Sequence, residues 1–478
     1  MRSIKKYINQ YINKYKKISL DVKSSAYFML CNLFQKGIAF ISVPIFTRIM
    51  TTEEYGQFSV FQSWLQIFVI FSSWNMAYGV LNKALTKYED HDNYISSIQF
   101  LYTINTILFA LFYYFLKRVF GNFLGVTIEI ELLTFFELLF TPALALFTVK
   151  SRFELRFVKA VILTIALTIL NPALGILFVK FANEKGLARI YGYLIAQILI
   201  CGPIYIYNFY VGKKIRIKKY WPFTIKFCLP LIPYFISTIV LNQSDKIMIS
   251  EIVGNSYAGI YSIAYSVAMV LKILNESINA SFVPWMYKKI RQSNLLEIRK
   301  NTNILIFFVY FLNLLIILLT PEIIKIVASE QYMEAIYIMP ALTVSVCLMF
   351  SVSIFSNIEM YYEYNTIIMG VSVTISFINI ILNYIFISSI GYLAAAYTTL
   401  FSYMFSLAWH AWYCKRKIVK ISLFIDYKFL IVVNMFAVFF LLVVPILYKN
   451  IILRLFLLLI TLLIIWKITK KIRLDFKR

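Results

Sequence analysis

Long apolar stretches follow one another along the chain, separated by short polar connections. Between Asn303 and Thr320 the apolar positions run almost without a break. They show neither the alternation of a half-buried strand nor the one-sided stripe of a surface helix. About 20 such residues, rising ~1.5 Å each as a helix, cross a hydrocarbon core ~30 Å thick. The helix also satisfies its own backbone, which lipid requires. The pattern therefore predicts an all-α integral membrane protein with about fourteen transmembrane helices. They lie at 24–46, 58–81, 94–116, 131–149, 157–179, 187–210, 224–243, 257–282, 303–320, 334–357, 365–388, 391–413, 428–447 and 451–467. The count falls to about twelve if two of these runs do not cross. No connection exceeds about 20 residues, so no soluble domain is expected on either side.

Composition agrees: 61% of the 478 residues are apolar, yet the net charge is +25. The basic residues crowd into every second connection. These segments hold Lys5, Lys6, Lys14, Lys16, Lys17 and Lys23, then Lys150, Arg152, Arg156 and Lys159, then Lys213, Lys214, Arg216, Lys218 and Lys219. Lys288, Lys289, Arg291, Arg299 and Lys300 follow, then Lys415, Arg416 and Lys417, and finally Lys467, Lys470, Lys471, Arg473, Lys477 and Arg478. Roughly 35 basic residues fall on this side and about 10 on the other, which predicts that both termini are cytoplasmic. One inside turn departs from the pattern. Glu359 and Glu363 have no basic partner there and are expected in cytoplasmic water. The basic residues form no continuous patch, which argues against nucleic acid as a partner. The five cysteines are far apart, without a CxxC pair, and read as small core residues. With only His91 and His410 as histidines, no metal or cofactor is expected.

The run from Ser25 to Phe46 is too long for a cleavable signal peptide and carries Lys36 near its middle. Before it, Ile4, Ile8, Tyr11, Tyr15 and Ile18 are interleaved with lysines. This segment reads either as an amphipathic helix on an anionic membrane face or as a basic tail that sets orientation.

Two stretches resemble each other. Thr47-Arg48-Ile49-Met50 followed by Tyr55-Gly56-Gln57-Phe58-Ser59-Val60 pairs with Asp245-Lys246-Ile247-Met248 followed by Ala258-Gly259-Ile260-Tyr261-Ser262-Ile263. Each closes one helix and opens the next. The expected organisation is a basic cytoplasmic segment (1–23), an N-terminal six-helix lobe (24–213), a C-terminal six-helix lobe (214–417), and two added helices with a basic tail (418–478). A parallel repeat of this kind relates the lobes by a pseudo-twofold axis along the membrane normal.

Residues Pro44 to Gly56 (Pro44-Ile45-Phe46-Thr47-Arg48-Ile49-Met50-Thr51-Thr52-Glu53-Glu54-Tyr55-Gly56) resemble the N-terminal signature of the Wzx-type polysaccharide flippases. These belong to the multidrug/oligosaccharidyl-lipid/polysaccharide exporter superfamily. Leu229-Pro230-Leu231-Ile232-Pro233, Leu241-Asn242-Gln243-Ser244-Asp245-Lys246-Ile247-Met248-Ile249, Gly259-Ile260-Tyr261-Ser262 and Pro284-Trp285-Met286-Tyr287 are similar to the start of that family's C-terminal lobe. The resemblance implies translocation of undecaprenyl-pyrophosphate-linked oligosaccharide across the bacterial plasma membrane, for O-antigen, capsule or exopolysaccharide. It also implies alternating access around a cationic cavity, a proton or sodium gradient as driving force, and membrane lipids, a polysaccharide polymerase and a chain-length regulator as partners.

Such a substrate needs fixed positive charge against its phosphates and aromatic or amide groups against its sugars. Lys36, with Asn32 one turn earlier, is either a phosphate contact or a lysine that snorkels or meets a local acceptor. Tyr265, Met269, Lys272, Glu276 and Asn279 share one helical face. There Lys272 and Glu276 either serve substrate and coupling or form a structural i,i+4 pair. Arg48 and the Asp245–Lys246 pair are read at the outer ends of their helices, as gate residues or interfacial anchors. Arg152 and Arg156 are entrance residues for phosphate or plain topology charges. Ser372, Ser376, Asn379 and Asn383 share a face suited to sugar hydroxyls or to helix packing. Pro142 and Asn171-Pro172 are expected to break their helices. The coupling candidates are Glu137, Asp245 and Glu276, with Glu359 and Glu363 behind them. A multidrug exporter would favour an acidic cavity, against Lys36 and Lys272; a lipid II flippase has the same helix count. A polymerase or glycosyltransferase is disfavoured because no long outer loop is present, so no enzyme is expected.

Overall fold

The computed structural model describes residues 19–121, 124–418 and 421–475. The N-terminal segment read as amphipathic lies, through residue 18, outside them. The described chain is almost entirely helical. Its long helices are α1 (Leu20–Ile49), α2 (Thr52–Ser73), α3 (His91–Phe120), α4 (Ile128–Phe153), α5 (Val158–Phe181), α6 (Lys185–Gly212) and α7 (Ile217–Ile252), then α8 (Asn255–Arg291), α9 (Leu295–Leu318), α10 (Ala335–Tyr361), α11 (Asn365–Ile390), α12 (Ala394–Lys417), α13 (Tyr427–Lys449) and α14 (Ile451–Asp475). Eleven are long and apolar enough to cross a membrane. The other three, α2, α12 and α14, have 22, 24 and 25 residues, also enough to span. The protein is a multi-pass membrane protein.

Several helices differ from the sequence reading. The second span ends at Ser73, not residue 81, because Trp74 and Asn75 adopt left-handed backbone angles and the Asn75 amide donates to the Ser73 hydroxyl at 3.1 Å. Two short helices, Met76–Gly79 and Leu81–Lys87, follow. The seventh span begins earlier and is jointed: a 3₁₀ turn at Leu229–Leu231, containing Pro230, separates Ile217–Cys228 from Ile232–Ile252. Pro142 and Pro172, expected to break α4 and α5, lie within continuous helices.

Backbone contacts divide the chain into two compact units. Of the described residues, unit one takes those up to Ile49 together with Trp64–Phe235. Its core gathers Met76, Leu81, Tyr94, Tyr102, Leu146, Tyr220 and Cys228. The contact boundary falls at 235, because Tyr220 and Cys228 at the start of α7 are buried in that core. Helices α5 and α6 meet at glycines: a Cβ on Gly192 would lie 2.8 Å from Gly175 Cα. The same gap admits the guanidinium of Arg189, which donates to Asn171 Oδ1 at 2.9 Å and lies 4.3 Å from the Phe46 ring centre.

Unit two takes Met50–Ser63 and the chain from Ile236 onwards. Its centre is α10, most of whose residues are buried. Helices α8, α9, α12 and α13 pack around it. The start of α2 lies on the start of α8. There Gly56 and Gly259, the glycines of the two repeated motifs, face each other, and the Thr52 and Ser256 hydroxyls are 2.6 Å apart.

Candidate functional site

Inside unit two, α7, α8, α11 and α12 converge on one carboxylate. Asp245 is 3% exposed. Asn383 Nδ2 donates to its Oδ1 at 2.7 Å; the Tyr261 and Thr399 hydroxyls donate to its Oδ2 at 2.5 and 2.8 Å. A second layer orients these donors. Asn383 Nδ2 also reaches Asn379 Oδ1 at 3.2 Å, Asn379 Nδ2 donates to Thr399 Oγ1 at 3.2 Å, and the Thr398 hydroxyl donates to Asn383 Oδ1. Ser244 Oγ donates to Asn379 Oδ1 at 3.4 Å.

The local sequence explains this convergence. Asn379 and Asn383 are one turn apart on α11, so a single face carries both, and lipid exposure of that face would be costly. Both are fully buried. The opposing face of α12 is built from Ala395, Thr398, Thr399 and Ser402, whose small side chains allow close approach. Hydrogen bonds from three donors offset part of the cost of burying the Asp245 carboxyl.

Lys246 turns aside. Its ammonium lies 4.3 Å from the Tyr265 ring centre and 3.5 Å from Gln243 Oε1, an oxygen that also accepts from Ser63 at 3.0 Å. A narrow cavity of about 20 Å³ reaches Asp245 and is bordered by Asn242, Tyr265, Met269, Ser345, Thr399 and Tyr403. That is room for one water or one small ion. Among the described residues, no three His, Cys, Asp or Glu side chains gather as a metal site. One carboxylate with hydroxyl oxygens beside a water-sized cavity is instead suited to a proton or a hard monovalent cation.

The residues singled out from sequence are thus partly assembled and partly scattered. Asp245, Asn379 and Asn383 come together. Asp245 is not at a helix end as expected: α7 continues to Ile252, which sets it about 10 Å inside. Arg48 is in the last turn of α1, exposed, with its guanidinium donating to Pro44 O at 2.7 Å. Asn32 and Lys36 are exposed on α1. On α8, Lys272 and Tyr265 are half-buried and Glu276 is exposed. Asn279 donates to Ser353 Oγ at 2.8 Å and so faces α10. Ser372 is half-buried, and buried Ser376 bonds within its own helix, to Val373 O at 3.0 Å.

In unit one, Glu137 is buried on α4. Arg152 is exposed, 5.6 Å from the Phe28 ring centre. Arg156 is exposed at the edge of a cavity of about 720 Å³ shared with Lys150, Ser151, Lys159, Tyr207, Asp92 and Glu154. The left-handed turn at Leu155 (φ 59°) puts Arg156 there.

Glu359 requires a correction. It is fully buried, not in water, and does have a partner: His410 Nδ1 lies 2.8 Å from its Oε2, with the Cys414 thiol 3.3 Å from its Oε1. His410 is 51 residues away on α12, which the charge pattern of one turn cannot reveal. Glu363 is exposed, with a left-handed φ of 63°. The sequence reading also passed over Tyr261, Thr398, Thr399 and Arg189. The signal for Tyr261 was its place in the repeated motif; for the threonines, a helix rich in Ala, Ser and Thr.

Known proteins match over most of this architecture. A protein of the Lsg locus of Haemophilus influenzae is 22% identical over 373 residues, covering 73% of this chain and 87% of the relative. In fold, the chain is similar to the lipid II flippase MurJ in an inward closed conformation, with a TM-score of 0.69 and 16% identity over 92% of this chain and 98% of that one. It is also similar to an inward-facing multidrug resistance MATE family transporter of the MOP superfamily, with a TM-score of 0.59 and 12% identity over 81% and 96%. Residues 22–291, more than half of the chain and including Asp245 and Tyr261, match the family described as polysaccharide biosynthesis protein, and the chain belongs to that family.

Proposed function

We propose that the chain is a flippase of the bacterial plasma membrane with both termini in the cytoplasm. It moves undecaprenyl-pyrophosphate-linked oligosaccharide repeat units from the cytoplasmic to the outer face, for O-antigen, capsule or exopolysaccharide synthesis. Transport proceeds by alternating access and is coupled to a sodium or proton gradient. The observation that carries this reading is the buried Asp245 cluster in a member of a polysaccharide biosynthesis family. A membrane-embedded carboxylate with neutral oxygen partners and a water-sized cavity is what ion coupling needs. Asn379 and Asn383 then act as ion-site groups instead of sugar contacts. The cavity bordered by Arg156 and Lys159 supports the entrance role for Arg156, since their positive charge suits phosphates at the cytoplasmic end, while Lys150 there is paired with Asp92 and Glu154. Lys36 and Lys272 remain the candidates for phosphate contact along the path. A polysaccharide polymerase and a chain-length regulator are the natural partners downstream.

The fold likeness to a lipid II flippase supports a second reading, in which the cargo is a peptidoglycan precursor. Gene deletion separates the two. If repeat units are the cargo, lipid-linked repeat units accumulate on the cytoplasmic face, surface polysaccharide is lost and growth continues. Lysis with lipid II accumulation favours the second reading. Normal polysaccharide with altered drug tolerance refutes both.

A further inference from the structure

Unit one buries a carboxyl of a different kind. Glu137 lies mid-way along α4 and is 1% exposed. The Thr141 hydroxyl donates to its Oε1 at 2.5 Å, while its Oε2 is buried with no hydrogen-bond partner. No ion pair among the described residues includes it.

Facing Glu137, α6 carries Arg189, Tyr193, Gln197 and Cys201 at successive i+4 positions, a polar ladder on one face. Gln197 Nε2 donates to the Tyr193 hydroxyl at 3.2 Å, and the Cys201 thiol lies 3.7 Å from Gln197 Oε1. Tyr193 and Cys201 are the titratable groups of α6 that interact with Glu137. Arg189, at the far end of the ladder, is held by Asn171 of α5. From α3, Lys117 is committed to Glu131 at 2.7 Å. On the short helix before α3, Lys83 and Lys87 lie over the rings of Phe227 and Phe223.

The contrast with Asp245 decides the chemistry. Asp245 has three donors aimed at its two oxygens. Glu137 has one donor and an orphan oxygen, and an ion buried with so little compensation costs several kcal/mol unless it is neutralised. We propose that Glu137 is a proton-binding site: its Oε2 carries a proton in this conformation. When α4 and α6 part enough to admit water, the O–H bond at Oε2 breaks, the proton passes to water along the α6 ladder, and the Tyr193 hydroxyl turns to the carboxylate left behind. This site is separate from Asp245, and it holds whichever lipid-linked substrate the protein carries.

Infrared difference spectroscopy on the purified full chain, without substrate, tests it. Wild type shows the carbonyl stretch of a neutral carboxylic acid that shifts in heavy water; E137Q loses this band and D245N keeps it. On a pH jump, E137Q binds about one proton fewer than wild type. E137D, which retains the acid, shows the band at a shifted position and guards against a folding defect in E137Q. The proposal fails if E137Q keeps the band, or if D245N alone removes it. Failure of repeat-unit export in cells with an intact band would refute the flippase reading and leave this one standing.

Discussion

Gly56→Ala is the most direct test of the motif that opens α2. A Cβ at this position would overlap the Asn255 carbonyl oxygen, lying 2.7 Å from its carbon and 2.9 Å from the amide nitrogen of Gly259. All three of these atoms are backbone, so none can swing away. Restoring ordinary contact with the carbon alone requires α2 and α8 to part by about 0.7 Å, and clearing the oxygen takes more. Overpacking of this kind costs ~1–3 kcal/mol. Parting the helices also weakens the Thr52–Ser256 hydrogen bond, worth about 0.6 kcal/mol in a membrane protein. Alanine returns up to ~1 kcal/mol through its better helix propensity. The expected result is a net loss of roughly 0.6–2.6 kcal/mol, read as a lower temperature at which the purified protein loses its monodisperse size-exclusion peak. Gly370→Ala is the control. A Cβ there meets nothing within 4 Å, so only the propensity gain remains and the melting temperature should rise slightly. If Gly56→Ala melts with Gly370→Ala, the close crossing is not a packing constraint and the reasoning is wrong.

Asp245→Asn should reduce surface polysaccharide at least tenfold at normal protein levels, since the amide turns a donor toward groups that already donate; full export would remove Asp245 from coupling. His410→Ala should cost about 3–5 kcal/mol, because it strands a buried acid; adding Glu359→Gln should recover most of it in thermal melts, and no recovery would mean the pair is not the source. Asp426 caps α13, accepting from the Phe429 amide at 3.2 Å, and the hydrogen bond from Arg299 holds its carboxyl below the usual range. Asp426→Ala should therefore cost ~1 kcal/mol at neutral pH. For a depressed carboxyl this contribution is present above the unfolded value near 4 and lost as pH falls through the lower folded value. Wild type and variant should thus converge only in strong acid; a difference that persists there would point to packing instead.

Much of this molecule is legible in one dimension, for a definable reason. Whether a segment can span a membrane depends on its own length and polarity, so the helix count and the family motifs follow from local sequence alone. The buried free cysteines fit the same reading. What escaped that reading depends on partners far away in the chain. Glu359 looked solvated until His410 met it across α10 and α12. The joint in α7 and the end of α2 turn on a few backbone torsions that hydropathy does not register.

The sequence by itself determined a polytopic helical membrane protein with strongly biased charge, because lipid acts on each segment separately. Tertiary structure alone decided which polar residues share an interior. Asp245 and Asn383 are 138 positions apart, and Asp245 and Thr399 are 154 apart. Buried polar groups must find one another once lipid and water are excluded, and only the packing of α7, α8, α11 and α12 determines which ones do.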